Sequence, residues 1–310
     1  MSKEYILDTS AVRALSGALV EKVSNQQRLT ISPLSIYEIL SHLDENSKRH
    51  GAESFAFRKS HVMKCKHLVL RNDPVAEQAA NVGAAAAVNP TRFEDKDVLP
   101  YLYPVLEQSE TLADFYSKEI TDSQGRKRTL QGVAERTRKV LENEENKYVK
   151  FVNRLHKNIL DQMSYDDALK LSGKAFASVL VGAARSLQRH YKEEGIVVPD
   201  NMIFNAICFH TGYVLARTKL YMKKAGTGKP INVDRNDMED AAILLHVNLS
   251  KQQVLVTNDG EGRNEGTIHA LNEVLEQLRQ ASSDIGDNIV VMPSIMSATE
   301  FKLIHEVPAP

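Results

Sequence analysis

Lys3-Glu4-Tyr5-Ile6-Leu7-Asp8-Thr9-Ser10-Ala11-Val12 is the stretch on which the fold turns. Tyr5-Ile6-Leu7 is a short apolar run, as in a buried strand, and it ends on a carboxylate. Thr9 and Ser10 then make a small polar turn. Val12 to Val23 follows with apolar residues at Val12, Leu15, Leu19 and Val23, the spacing of one helix. Strand, carboxylate, turn and helix in that order open an α/β sheet of the kind that binds ligands beyond the carboxyl ends of its strands. An Asp in that place is equally an ordinary helix N-cap. What separates the two meanings is whether other carboxylates converge on Asp8.

Three are placed to do so. Leu29-Thr30-Ile31-Ser32 reads as a second short strand, and Pro33 opens a helix to about Leu43, with Glu38 in its second turn. Far downstream, Asn236-Asp237-Met238-Glu239-Asp240 leads into the apolar helix Ala241 to Val247. The strand Val254 to Thr257 follows and ends on Asn258-Asp259. Asp8 and Asp259 thus terminate strands, while Glu38 and Asp240 sit on early helical turns.

The pieces YILDTSAV (from Tyr5), ISPLSIYEIL (from Ile31), DAAILLHV (from Asp240) and VLVTND (from Val254) resemble the acidic motifs of PIN-domain nucleases. Within that family they are most similar to the VapC-type ribonuclease toxins. The match covers residues 1–45 and 230–293, about a third of the chain, and rests on the ordered set Asp, Glu, Asp, Asp. The resemblance implies an α/β fold with a PIN-like parallel sheet flanked by helices. It implies a metal-dependent endonuclease acting on RNA, with a toxin or antiphage role. Because water would be the nucleophile, the 2′-hydroxyl is not required, and a flap-type DNA nuclease is the alternative. A non-catalytic nucleic-acid-binding or scaffold protein, its acids serving as caps, is the other.

Clustered carboxylates repel one another, and a bound divalent cation is the electrostatic reason to gather them. Two Mg²⁺ or Mn²⁺ ions about 4 Å apart activate water and stabilise the leaving oxygen in phosphodiester cleavage. The expected ligands are Asp8 at the centre, Asp240 and Asp259 beside it, and Glu38 directly or through water. Asp237, three residues before Asp240, is expected as an auxiliary acid or a helix-start cap. Thr9, Ser10, Thr257 and Asn258 are placed to orient the carboxylates.

The net charge of −1 advertises no overall affinity for nucleic acid. Its distribution says more: Phe115 to Lys229 carries +9 and the remainder −10. A basic middle beside an acidic frame suits a phosphate-binding surface, and a solvated lysine-rich face is the plainer meaning. Arg126-Lys127-Arg128 is the candidate phosphate contact, or simply a charged turn before a helix. Cys65 and Cys208 form no metal-binding pattern, which fits a reducing cytoplasm. The N-terminus runs straight into a strand, so no signal peptide is expected. The longest apolar run, Ala175 to Ala184, falls short of a membrane span.

The remaining pattern is helical. Lys64 to Leu70 reads as strand or helix turn, and Pro74 opens a helix through Val88. Helices are expected over Thr129–Gln162, Asp166–Glu193 and Pro199–Lys224, and again over Thr267–Ser282. His246 reads as a satisfied core histidine. Asn288 to Met292 reads as the final strand, ended by Pro293. The expected organisation is a discontinuous core, 1–95 with 230–310, interrupted by a helical insertion at 96–229. That insertion would bind nucleic acid, an inhibitory protein or a second copy of the chain.

Overall fold

The computed structural model describes residues 3–44, 47–83, 99–121, 125–261, 266–285 and 294–306. Among these, seven strands fall in chain order: β1 (Glu4–Leu7), β2 (Arg28–Ile31), β3 (Val69–Leu70), β4 (Glu119–Thr121), β5 (Lys127–Thr129), β6 (Gln253–Thr257) and β7 (Ser294–Ser297). Five form a wholly parallel sheet in the order β3-β2-β1-β6-β7, and β4 with β5 makes a separate antiparallel ribbon. Leu7 lies opposite Ile31 on one side and Val256 on the other, so the three central strands end level. Their side chains are buried on both faces, as a parallel sheet covered by helices requires.

The helices are α1 (Thr9–Ala14), α2 (Gly17–Ser24), α3 (Pro33–Ser41), α4 (Ser47–Lys64), α5 (Pro74–Asn81), α6 (Leu99–Gln108) and α7 (Leu112–Ser117). After them come α8 (Leu130–Gln162), α9 (Tyr165–Leu169), α10 (Gly173–Glu193), α11 (Asp200–Ala225), α12 (Asp237–Ile243), α13 (Thr267–Ile285) and α14 (Ala298–Glu306). Their starts follow the sequence closely. Asp8 caps α1, Ser32 caps α3 ahead of Pro33, Asp73 caps α5 ahead of Pro74, and Thr129 caps α8. No helix among the described residues is long and apolar enough to cross a membrane.

Several local expectations are corrected. Val12 to Val23 is not one helix: Leu15 turns extended, and Ser16 starts α2 by accepting from the Leu19 amide at 3.2 Å. Asp166 to Glu193 breaks into α9 and α10, because Gly173 takes φ +53° and donates its amide to Gln277 on α13 at 2.5 Å. Lys64 to Leu70 resolves into a helix end, a 3₁₀ turn and β3. The expected strand at Asn288–Met292 lies outside the described residues, whereas the Pro74 helix, expected through Val88, ends at Asn81, where Val82 caps it and Gly83 turns with φ +74°. The sheet's last described strand is β7, which follows Pro293 instead of preceding it.

The middle of the chain shares its core with the sheet. One apolar cluster runs from Ile6 and Leu7 through Val133, Leu141, Phe176 and Phe209 to Leu271 and Val274. Helix α11 lies against α10, α12 and α13, and α8 lies against α3. Helices α11 and α13 approach tightly at Gly212, where a Cβ would stand 2.7 Å from Val274 Cγ1. Gly212→Ala should therefore destabilise the protein by roughly 1–2 kcal/mol, since overpacking outweighs the helix propensity that alanine gains. Urea denaturation checks this, and Gly212→Ala combined with Val274→Ala should cost less than the sum of the two single changes.

Candidate functional site

In this strand order the connections leave β1 toward β2 and β3 on one side and β6 toward β7 on the other. The crevice of an open α/β sheet lies at such a reversal, beyond the carboxyl ends of the strands. Asp8 directly follows β1, and Asn258-Asp259 directly follows β6. Helix α3, which continues from β2, carries Glu38, and α12 carries Glu239 and Asp240. All of these acids line one cleft of about 1350 Å³, walled in part by Leu141 and Glu145 of α8 and Arg217 of α11. The structure thus brings Asp8, Glu38, Asp240 and Asp259 to one opening.

Asp8 is buried, and its Oδ1 accepts from the Ala11 amide at 2.6 Å. Ser10 Oγ stands 2.9 Å from each Asp8 oxygen, 3.2 Å from Thr257 Oγ1, and accepts from the Asn258 amide at 2.7 Å. Thr257 Oγ1 in turn accepts from the Asp259 amide at 3.1 Å. One hydroxyl relay therefore ties the ends of β1 and β6 together. Ser10 and Thr257 take the orienting positions expected of them, whereas Asn258 takes part through its backbone alone. The Thr9 hydroxyl is buried in the cleft wall and meets no hydrogen-bond partner among the described residues.

Thr267, absent from the expected set, joins two of the carboxylates. Its Oγ1 lies 2.5 Å from Asp240 Oδ2 and 2.8 Å from Asp259 Oδ2, and its amide donates to the same Asp259 oxygen at 2.7 Å. The residue before it is held tightly. Gly266 has φ +105°, and a Cβ there would stand 2.7 Å from Gly260 Cα and 3.1 Å from Asp259 Oδ2. A hydroxyl residue opening an amphipathic helix after a glycine-rich loop was the available signal, and it marks helix starts generally. Tyr213 of α11 donates to Asp240 Oδ2 at 3.2 Å.

Glu38 pairs with Arg13 at 3.1 Å and lies close enough to Glu239, an acid absent from the expected set, to raise its carboxyl. Asp237, expected as an auxiliary acid or a helix-start cap, lines the same cleft, with its carboxylate taken up within the protein. Arg217 grips it with Nε at 2.5 Å and Nη2 at 2.7 Å, and the Tyr221 hydroxyl donates to it as well. Its charge is matched within the protein, so Asp237 tethers α12 to α11. The triplet Arg126, Lys127 and Arg128 falls at the start of β5 and the residue before it, away from the cleft lining. Cys65 and Cys208 are buried free thiols. His246 is buried as expected and held neutral by burial, yet both ring nitrogens lack hydrogen-bond partners among the described residues.

Burial and mutual repulsion dominate the electrostatics of the carboxylates that have no basic partner. Burial raises the Asp8 carboxyl to about 6, against the hydrogen bonds from Thr257, Ala11 and Ser10, and Glu38 adds to the rise. Burial first, and then the charges of Asp8 and Asp259, hold Asp240 well above the ordinary carboxylate range. Burial and then Glu38 do the same to Glu239. Among the described residues no three His, Cys, Asp or Glu side chains already stand in metal-ligating geometry. The donor set nevertheless suits a hard divalent cation: it is all oxygen, and its repulsion is what such an ion relieves. Comparisons of the chain with protein-family models, curated proteins and solved structures give no match.

Because the folded state raises the Asp8 carboxyl from 3.8 to about 6, ionising it costs stability. That cost is absent below pH 4, grows between pH 4 and 6, and is complete above. Two pKa units correspond to about 3 kcal/mol. In EDTA, Asp8→Asn should melt higher than the parent at pH 7.5, with the gain shrinking toward zero by pH 4. Asn keeps the cap, so a lower melting temperature at every pH would contradict this electrostatic account.

Proposed function

We propose that the protein is a metal-dependent endonuclease that hydrolyses phosphodiester bonds, with RNA as its substrate. The observation that carries this is the meeting of Asp8, Asp240 and Asp259, with Glu38 beside them, at the reversal point of the parallel sheet. Asp8, Asp240 and Asp259, joined by hydroxyls rather than paired with a basic side chain, are arranged for a ligand of opposite charge. Asp8, Asp240, Asp259 and Glu38 would hold one or two Mg²⁺ or Mn²⁺ ions, and Glu239 lies close enough to Glu38 to share that load. Such ions supply activation of water and stabilisation of the leaving oxygen.

The chain's own part is positioning. Ser10 and Thr257 fix Asp8 relative to β6, and Thr267 fixes Asp240 relative to Asp259. The walls from α8 and α11 confine a phosphodiester to the carboxylate floor. RNA is preferred because the motifs resemble those of ribonuclease toxins, and a cytoplasmic toxin or antiphage role follows from the same resemblance. None of these steps uses a 2′-hydroxyl, so a branched DNA substrate is the alternative.

The purified chain should be incubated with labelled single-stranded RNA and with flapped DNA, each with Mn²⁺ or EDTA. Cleavage of RNA that EDTA stops, and that Asp8→Asn lowers on the order of 10²–10³-fold, is expected, since cation stabilisation is worth several kcal/mol. Cleavage indifferent to EDTA would end the metal reading, and cleavage of the DNA alone would move the substrate to DNA.

The basic middle segment gives a second test. If Arg126, Lys127 and Arg128 contact phosphate, changing all three to Glu should weaken RNA binding and flatten its salt dependence by up to about three charges' worth of slope. Filter binding between 50 and 200 mM salt measures both, and an unchanged slope excludes the triplet as a contact.

A further inference from the structure

We propose that Tyr213 is a positioning residue for Asp240, through which helix α11 sets the affinity of the cleft for its divalent cation; this rests on the carboxylates being a cation site. Tyr213 is wholly buried, its ring in the core shared by α11 and α13. A tyrosine hydroxyl in such a place finds a hydrogen-bond partner, and here it is Asp240 Oδ2 at 3.2 Å. The same oxygen meets Thr267 Oγ1 at 2.5 Å. Two hydroxyls from two helices therefore hold one oxygen of Asp240 and fix the turn of its carboxylate, while Oδ1 carries neither bond.

The helix bearing Asp240 is only seven residues long, so what it packs against sets its orientation. Helix α11 grips it a second time, one turn earlier, where Arg217 and Tyr221 take Asp237. The first grip touches a proposed ligand and the second does not. Removing the first should alter cation binding, and removing the second should alter stability.

The experiment compares the parent with Tyr213→Phe and Tyr221→Phe in the full chain, titrating Mn²⁺ by electron paramagnetic resonance and melting each without metal. Both changes keep the ring and its packing. Tyr213→Phe should bind Mn²⁺ about tenfold more weakly, the loss typical of removing a group that orients a ligand. Tyr221→Phe should keep the parent's Mn²⁺ affinity while shifting the melting temperature. If the parent takes up Mn²⁺ and Tyr213→Phe binds it equally well, the positioning role is overturned and the cation site stands. Equal loss of affinity in both variants overturns it too, because α11 would then act only as scaffold. A parent that takes up no Mn²⁺ overturns the cation site and this role together.

Discussion

The parallel ladder between Glu4–Leu7 and Gln253–Thr257 is the interaction on which the other features of the molecule depend. Its two strands stand about 250 residues apart in the chain, yet closing so long a loop costs little more than closing half of it, about 0.6 kcal/mol per doubling. What the ladder demands is geometric. The chain leaving β3 must return beside β1, and the residues between must find cover without blocking the carboxyl edge. They do so by entering the same core as the sheet, with α8 against α3 and α11 against α13. The cleft is thus framed partly by the sheet's own loops and partly by helices from the middle of the chain.

Gathering acids at that edge works against folding, and the surrounding groups show how it is tolerated. Each carboxylate takes at least one further role. Asp8 caps α1, Asp259 accepts the first amide of α13, Asp237 anchors α12, and Glu38 pairs with Arg13. Asp240 is the exception, bonded by hydroxyls alone and surrounded by other acids. Neutral donors fix a carboxylate in space without cancelling its charge, whereas Arg217 does cancel that of Asp237. The distinction separates Asp240, whose oxygen meets only neutral donors, from Asp237, which an arginine neutralises.

Much of this was legible because it is local. Ser32-Pro33, Asp73-Pro74 and Thr129 announce helix starts, and the level ends of β1 and β6 follow from where Asp8 and Asp259 stand after short apolar runs. The remainder depends on distant partners, with one local exception. Arg217 gives no hint in sequence that it will seize Asp237, nor Thr267 that it will join two acids from other elements. Ser297-Ala298-Thr299-Glu300 is different. It is a capping box in plain view, with Glu300 accepting from the Ser297 amide at 2.7 Å and Ser297 Oγ accepting in return at 3.1 Å. It starts α14, whose Phe301 meets Tyr5 edge-on at 5.3 Å. The break between α1 and α2 was hidden by an apolar stripe that continues across it, and only Ser16 marked it.

Tyr213, Arg217 and Tyr221 follow one another at intervals of four along α11, and each meets an acid of α12. A repeat of that kind has more than one way to engage. Sliding α11 by one turn, about 5.4 Å, would bring Arg217 opposite Asp240 and give that carboxylate a fixed positive partner. Gly212 forbids the slide. The residues one turn to either side of it are Cys208 and Ala216, and each would drive a Cβ into the space where Val274 lies against bare backbone. The missing side chain thus serves as a detent, holding a ratchet of equivalent contacts in the one notch where Asp240 faces a hydroxyl rather than a guanidinium.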